Sequence, residues 1–156
     1  MNPDLRELLV ACDDPRGCEA PARMGRREKK KLIASVDAIQ ASLNEQFGIS
    51  LEKDGWVQDA SFFEELRVRR RVEDIPGVSH APEIAIRFSS FGKLYTLFTS
   101  LDEFPPQYPV EKIHDVIQQH GWRFVDGEVL EVPYDGVNQS LRDWGVTWWV
   151  RYFDYL

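Results

Sequence analysis

Residues 84–99, Ile84-Ala85-Ile86-Arg87-Phe88-Ser89-Ser90-Phe91-Gly92-Lys93-Leu94-Tyr95-Thr96-Leu97-Phe98-Thr99, carry a period of two on either side of a glycine-containing turn. Ile84, Ile86 and Phe88 alternate with Ala85, Arg87 and Ser89, and Leu94 to Thr99 follows the Ser90-Phe91-Gly92-Lys93 turn, which predicts a β-hairpin. Upstream, Leu66, Val68 and Val72 alternate with Arg67, Arg69 and Arg71, a third strand.

Helical signals flank this core. Asn2-Pro3-Asp4 combines an N-cap, a proline at the first helical position and an acid at the positive end of the dipole. Leu5, Leu8, Leu9 and Cys12 then share one face until Asp13-Asp14-Pro15 stops the helix. Leu32, Ile33, Val36, Ile39, Leu43 and Phe47 mark a second amphipathic helix, ended by Gly48. Its first turns are unusual, because Arg26, Arg27, Lys29, Lys30 and Lys31 put positive charge at the positive end of the macrodipole. Pro109 and Glu111 open a third helix with Val110, Ile113, Val116 and Ile117 on its apolar side, closed by Gly121.

Trp122–Val125 and Glu128–Val132 flank Asp126-Gly127, the pair that favours a type I′ hairpin. Residues 146–156 fit a strand or a short helix, and their run of bulky side chains with Val and Thr favours the strand. The order is then α-α-β-β-β-α-β-β-β. It predicts one α+β domain over residues 1–156, with a mostly antiparallel sheet of five to six strands and two to three helices packed on one face. Residues 13–30 read as a mobile basic connection inside it.

A chain of 156 residues, 43% apolar and 29% charged, can bury a core without metal or disulfide staples. No apolar run approaches the ~20 residues of a membrane span, and the acidic N-terminus does not resemble a signal peptide, so a cytoplasmic location is expected. The 19 basic and 26 acidic side chains leave a net charge of −7, the wrong sign for general nucleic-acid binding. Cys12 and Cys18 match neither a redox pair nor a zinc pattern and read as ordinary thiols.

Phosphate-loop, dinucleotide-binding, nucleophile-elbow and zinc-protease motifs are absent. No catalytic residue, cofactor or metal is expected. His114 and His120 lie six apart on one helix and point different ways, so they cannot share a metal; the sharper role for His114 is a general base with Asp115. The acid pairs Asp13-Asp14, Glu64-Glu65 and Asp102-Glu103 read as solvated.

Two patterns point to binding. Arg67, Arg69 and Arg71 on one strand and Arg87 on the next share outward parity, a row able to hold an anionic ligand or to pair with nearby acids. Aromatic residues gather late: none precedes Phe47, while the last 13 residues hold Trp144, Trp148, Trp149, Tyr152, Phe153 and Tyr155. Asp126, Glu128, Glu131, Asp135, Asp143 and Asp154 surround them as an acidic rim. The leading expectation is a non-enzymatic protein-binding module that takes a basic protein partner through Trp144, Trp149, Tyr155, Asp143 and Asp154. An immunity or antitoxin protein that neutralises a nuclease is one concrete version. The competing expectation is a small anion-binding protein or enzyme in which the four arginines converge with His114 or Tyr95. A self-associating structural component is the third.

Overall fold

The computed structural model describes residues 1–15, 26–53, 63–71, 80–90, 92–99, 101 and 103–154. Strands β1 (Glu52–Lys53), β2 (Phe63–Arg71), β3 (His80–Ser89), β4 (Leu94–Phe98) and β5 (Arg123–Phe124) make one sheet in that order; β2, β3 and β4 are the period-two stretches expected as strands, and β1 was not read from the sequence. The first four run antiparallel, and β5 joins β4 in parallel. Helices α1 (Pro3–Cys12), α2 (Arg26–Phe47), α3 (Val110–Gln119), α4 (Gln139–Asp143) and α5 (Trp148–Phe153), with a 3-10 turn at Glu128–Leu130, complete an α+β architecture. No described helix is long and apolar enough to cross a membrane.

Alternation assigns the sheet's two faces. Leu66, Ile86 and Leu97 stand opposite one another across β2, β3 and β4 and pack with Val36, Ile39 and Leu43 of α2 and Ile113, Val116 and Ile117 of α3. Arg87 and Thr96 face the other way, on the side of Leu94. That side is covered by Leu9 of α1 and by Trp148, Tyr152 and Phe153 of α5. Helices therefore lie on both faces and not on one, because Ala85 and Leu94 make the second face apolar enough to need a roof.

Two segments differ from the sequence reading. The hairpin about Asp126-Gly127 does not form: Gly127 has φ −62°, where a type I′ turn requires a positive value, and Asp126 Oδ1 accepts the Glu128 N–H at 3.0 Å to start the 3-10 turn. The tail is helical, not extended. Thr147 caps α5 by accepting the Val150 N–H at 3.3 Å, and the i, i+4 spacing brings Trp148 over Tyr152 and Trp149 beside Phe153. The caps read at Asn2, Gly48 and Gly121 are present, with φ of +64° and +80° at the two glycines. Helix α2 begins at Arg26, inside the stretch read as a connection; residues 16–25, Cys18 among them, lie outside the described residues.

The roof is tied to α1 by a buried ion pair. Asp13 and Arg151, both with fully buried side chains, meet at 2.7 Å between Oδ1 and Nε, and Arg151 also donates to the Asp14 carbonyl at 2.6 Å. The second Asp13 oxygen accepts from the Tyr134 hydroxyl and, at 3.0 Å, from the Val137 N–H. Tyr152 donates its hydroxyl to the Leu9 carbonyl at 2.7 Å. Asp13, read as a solvated helix stop, is instead a buried anchor. Arg6 donates to Asp135 at 2.6 Å on the surface of the same junction, holding that carboxyl below its ordinary range.

Arg151→Met leaves the Asp13 carboxylate buried without its cation and is expected to lower the unfolding free energy by about 3–5 kcal/mol. Urea denaturation checks this, with the Asp13→Leu, Arg151→Met double variant expected to lose less than the two single variants together.

Candidate functional site

The sheet's second face is not roofed along its whole length. Beyond α5, the outer part of β4, residues Thr99, Leu101, Glu103 and Phe104, the end of β5 and the 3-10 turn enclose a cleft of about 620 Å³. This is within the range of ligand sites. Phe98, Phe104, Phe124 and Trp149 supply its aromatic walls. Glu103, Asp126, Glu128 and Glu131 bring four exposed carboxylates, and no Lys or Arg is among its lining residues.

Each wall has a local cause. Trp149 leaves α5 half-buried, and its indole N–H donates to Asp154 Oδ2 at 3.1 Å, which fixes the ring. Phe124 is braced from behind by His114, edge to face at 4.4 Å between ring centroids, and by Tyr95 at 5.6 Å. Those two are joined by a 2.7 Å hydrogen bond between the Tyr95 hydroxyl and His114 Nδ1. Burial lowers the His114 pKa, against the opposing pull of Glu111 and Asp115, and raises that of Tyr95 to about 12. A neutral imidazole facing a protonated phenol is a structural brace at neutral pH.

At the floor, Thr96 Oγ1 is buried without a hydrogen-bond partner. Such an orphan costs about 1–3 kcal/mol. A Cβ at Gly127 would come within 2.9 Å of Trp149 Cζ3 and 3.3 Å of Thr96 Oγ1. Since the Gly127 backbone is in the ordinary right-handed region, its missing side chain serves space and not conformation.

The arginine row resolves differently. Arg67 and Arg87 each take one oxygen of Glu65, a carboxylate 1% exposed and thus not the solvated acid read from the sequence. Arg87 also donates to the Phe153 carbonyl at 2.9 Å and lies over Phe63, Phe98 and Trp149, with its guanidinium carbon 4.3, 5.1 and 5.5 Å from the three ring centroids. A register shift between Val68 and Arg69 interrupts the ladder, and the side chains of Arg69 and Arg71 lie outside the described residues. Arg87 stands opposite Thr96, whereas Tyr95 faces the α2 and α3 side, so the sheet separates Arg87 from the Tyr95–His114 pair.

Of the residues expected at a partner site, Trp149 lines the cleft and Asp154 orients it. Asp143 and Trp144 lie at the end of α4, where Asp143 accepts from Gln139 at 2.7 Å and Trp144 is 59% exposed; neither lines the cleft. Tyr155 lies outside the described residues. Asp126, Glu128 and Glu131 of the expected acidic rim do line it. Phe104 and Phe124 were not singled out, and Glu103 was read only as a solvated acid, although it stands beside Phe104 ahead of Pro105-Pro106. Among the described residues no cluster of three His, Cys, Asp or Glu side chains could hold a metal ion. Cys12 packs at Gly92, and burial raises its thiol pKa. No protein-family model, curated protein or solved structure matches the chain.

Because His114 titrates below its ordinary value of 6.5 in the fold, the unfolded chain takes the proton more readily. Its contribution to stability is present above that value and is lost as the pH falls through the folded pKa. His114→Asn is expected to flatten the acid side of a melting-temperature profile between pH 7.5 and 5, measured by calorimetry.

Proposed function

We propose that the chain is a non-enzymatic binding module whose acidic, aromatic cleft captures a basic protein partner. The observation that carries this reading is the composition of the cleft: among the described residues that line it are four carboxylates and four aromatic rings and no basic side chain. The carboxylates of Glu103, Glu128 and Glu131 engage no hydrogen bond or ion pair among the described residues, so their charge is available to a partner. Aromatic walls give area at small entropic cost, and an acidic rim steers a basic surface during encounter. Inhibition of a basic toxin by an immunity or antitoxin protein in the cytoplasm is the concrete version this suits. The anion-ligand reading draws less support, since Arg67 and Arg87 are both already ion-paired with the buried Glu65.

A fluorescent peptide of mixed Lys and Arg is a suitable probe of the charge claim. The Glu103→Gln, Glu128→Gln, Glu131→Gln variant is expected to bind it about tenfold or more weakly, with a shallower dependence on salt. Anisotropy titrations at two salt concentrations measure both, and unchanged affinity in the variant would count against the proposal.

A further inference from the structure

We infer that the group the cleft takes is a guanidinium, an arginine side chain presented by the basic partner. This rests on the basic-partner reading and narrows it. The chain itself shows these rings accepting that group: Phe98 and Trp149 line the cleft and also pack against the guanidinium of Arg87. Arg87 is ion-paired with Glu65, which it shares with Arg67, and it is not among the residues that line the cleft. Inside the cleft, Phe104 and Phe124 are exposed aromatic surfaces with no cation assigned to them among the described residues. A planar, weakly hydrated guanidinium gives up less solvation on such rings than an ammonium does, and it stacks where an ammonium only approaches.

The floor supplies an independent argument. Thr96 Oγ1 is buried, lacks a partner and lies beside the space that Gly127 leaves free next to Trp149. Five N–H donors in a fixed fork can reach a hydroxyl oxygen while still pairing with Glu128 or Glu131 at the rim. An ammonium on a flexible stem has three donors and no plane, and it matches the carboxylates without matching the walls. A cavity of about 620 Å³ also leaves room for the residues flanking the arginine.

Three peptides of equal length, carrying arginine, lysine or citrulline at the same positions, are titrated into the full chain by calorimetry. The arginine peptide is expected to bind about tenfold more tightly than the lysine peptide, with citrulline, which keeps the shape and loses the charge, weakest. Thr96→Val, which removes the floor hydroxyl and keeps the side-chain shape, is expected to bring the arginine-to-lysine ratio toward one, and Gly127→Ala, whose Cβ would come within 2.9 Å of the Trp149 ring, is expected to weaken the arginine peptide more than the lysine peptide. Equal arginine and lysine affinities that both vanish in the Glu103, Glu128, Glu131 variant would overturn the guanidinium assignment and leave the basic-partner reading standing. Absence of binding by either peptide, or binding that survives that variant, would overturn both.

Discussion

The ion pair between Asp13 and Arg151 is the interaction on which the second half of the structure depends. It joins the end of α1 to α5 across most of the chain, and both partners are out of water. Desolvating two charges is costly, and the attraction between them offsets that cost only where the remaining polar groups are also satisfied. Here they are largely served: Asp13 receives Tyr134 and the Val137 N–H, and Arg151 also reaches the Asp14 carbonyl. The pair thus fixes where α5 lies more than it adds net stability.

The position of α5 then determines the cleft. Phe153 lends its carbonyl to Arg87, which is held by Glu65, and Trp149 turns its ring over Gly127 under the control of Asp154. The aromatic wall is therefore connected through named contacts to the sheet on one side and to α1 on the other. A rigid wall matters for recognition, because a preorganised site loses less entropy when its partner arrives. The carboxylates, by contrast, stand on the loop and the 3-10 turn, exposed, where their charge acts at long range.

The three long strands of the sheet and the three helices that precede residue 122 were legible in the sequence because their signals are local; the two-residue β1 carried no such signal. Period-two alternation, the Asn2 cap and the glycines at 48 and 121 each act within a few residues. The late segment was not legible. Asp126-Gly127 favours a hairpin turn, but Asp126 Oδ1 takes the Glu128 N–H and starts a 3-10 turn instead. The Trp148-Trp149 run has a strong β tendency that tertiary burial of Trp148, Tyr152 and Phe153 with Leu9 overrides. Asp13 was misread as solvated because its cation, Arg151, lies 138 residues away, and Glu65 because its burial comes from the neighbouring strand, where Arg87, the second of its two cations, lies 22 residues away. Part of the candidate site was visible, since acid and aromatic residues crowd the C-terminal third. The role of Glu103 and Phe104 was not, because it comes from their being brought beside Trp149 only in the folded chain.

The central claim is that a basic partner segment enters between Trp149, Gly127 and the acidic rim. Nitrogen-15 NMR of the full chain during addition of the arginine peptide tests it most directly. Entry into the cleft predicts that the shifts concentrate on the Trp149 indole N–H and on the amides of Thr96, Gly127 and Glu128, with the Trp148 indole, held by Asp135, little changed. Shifts centred instead on Trp144 and α4, or spread evenly over the surface, would contradict it.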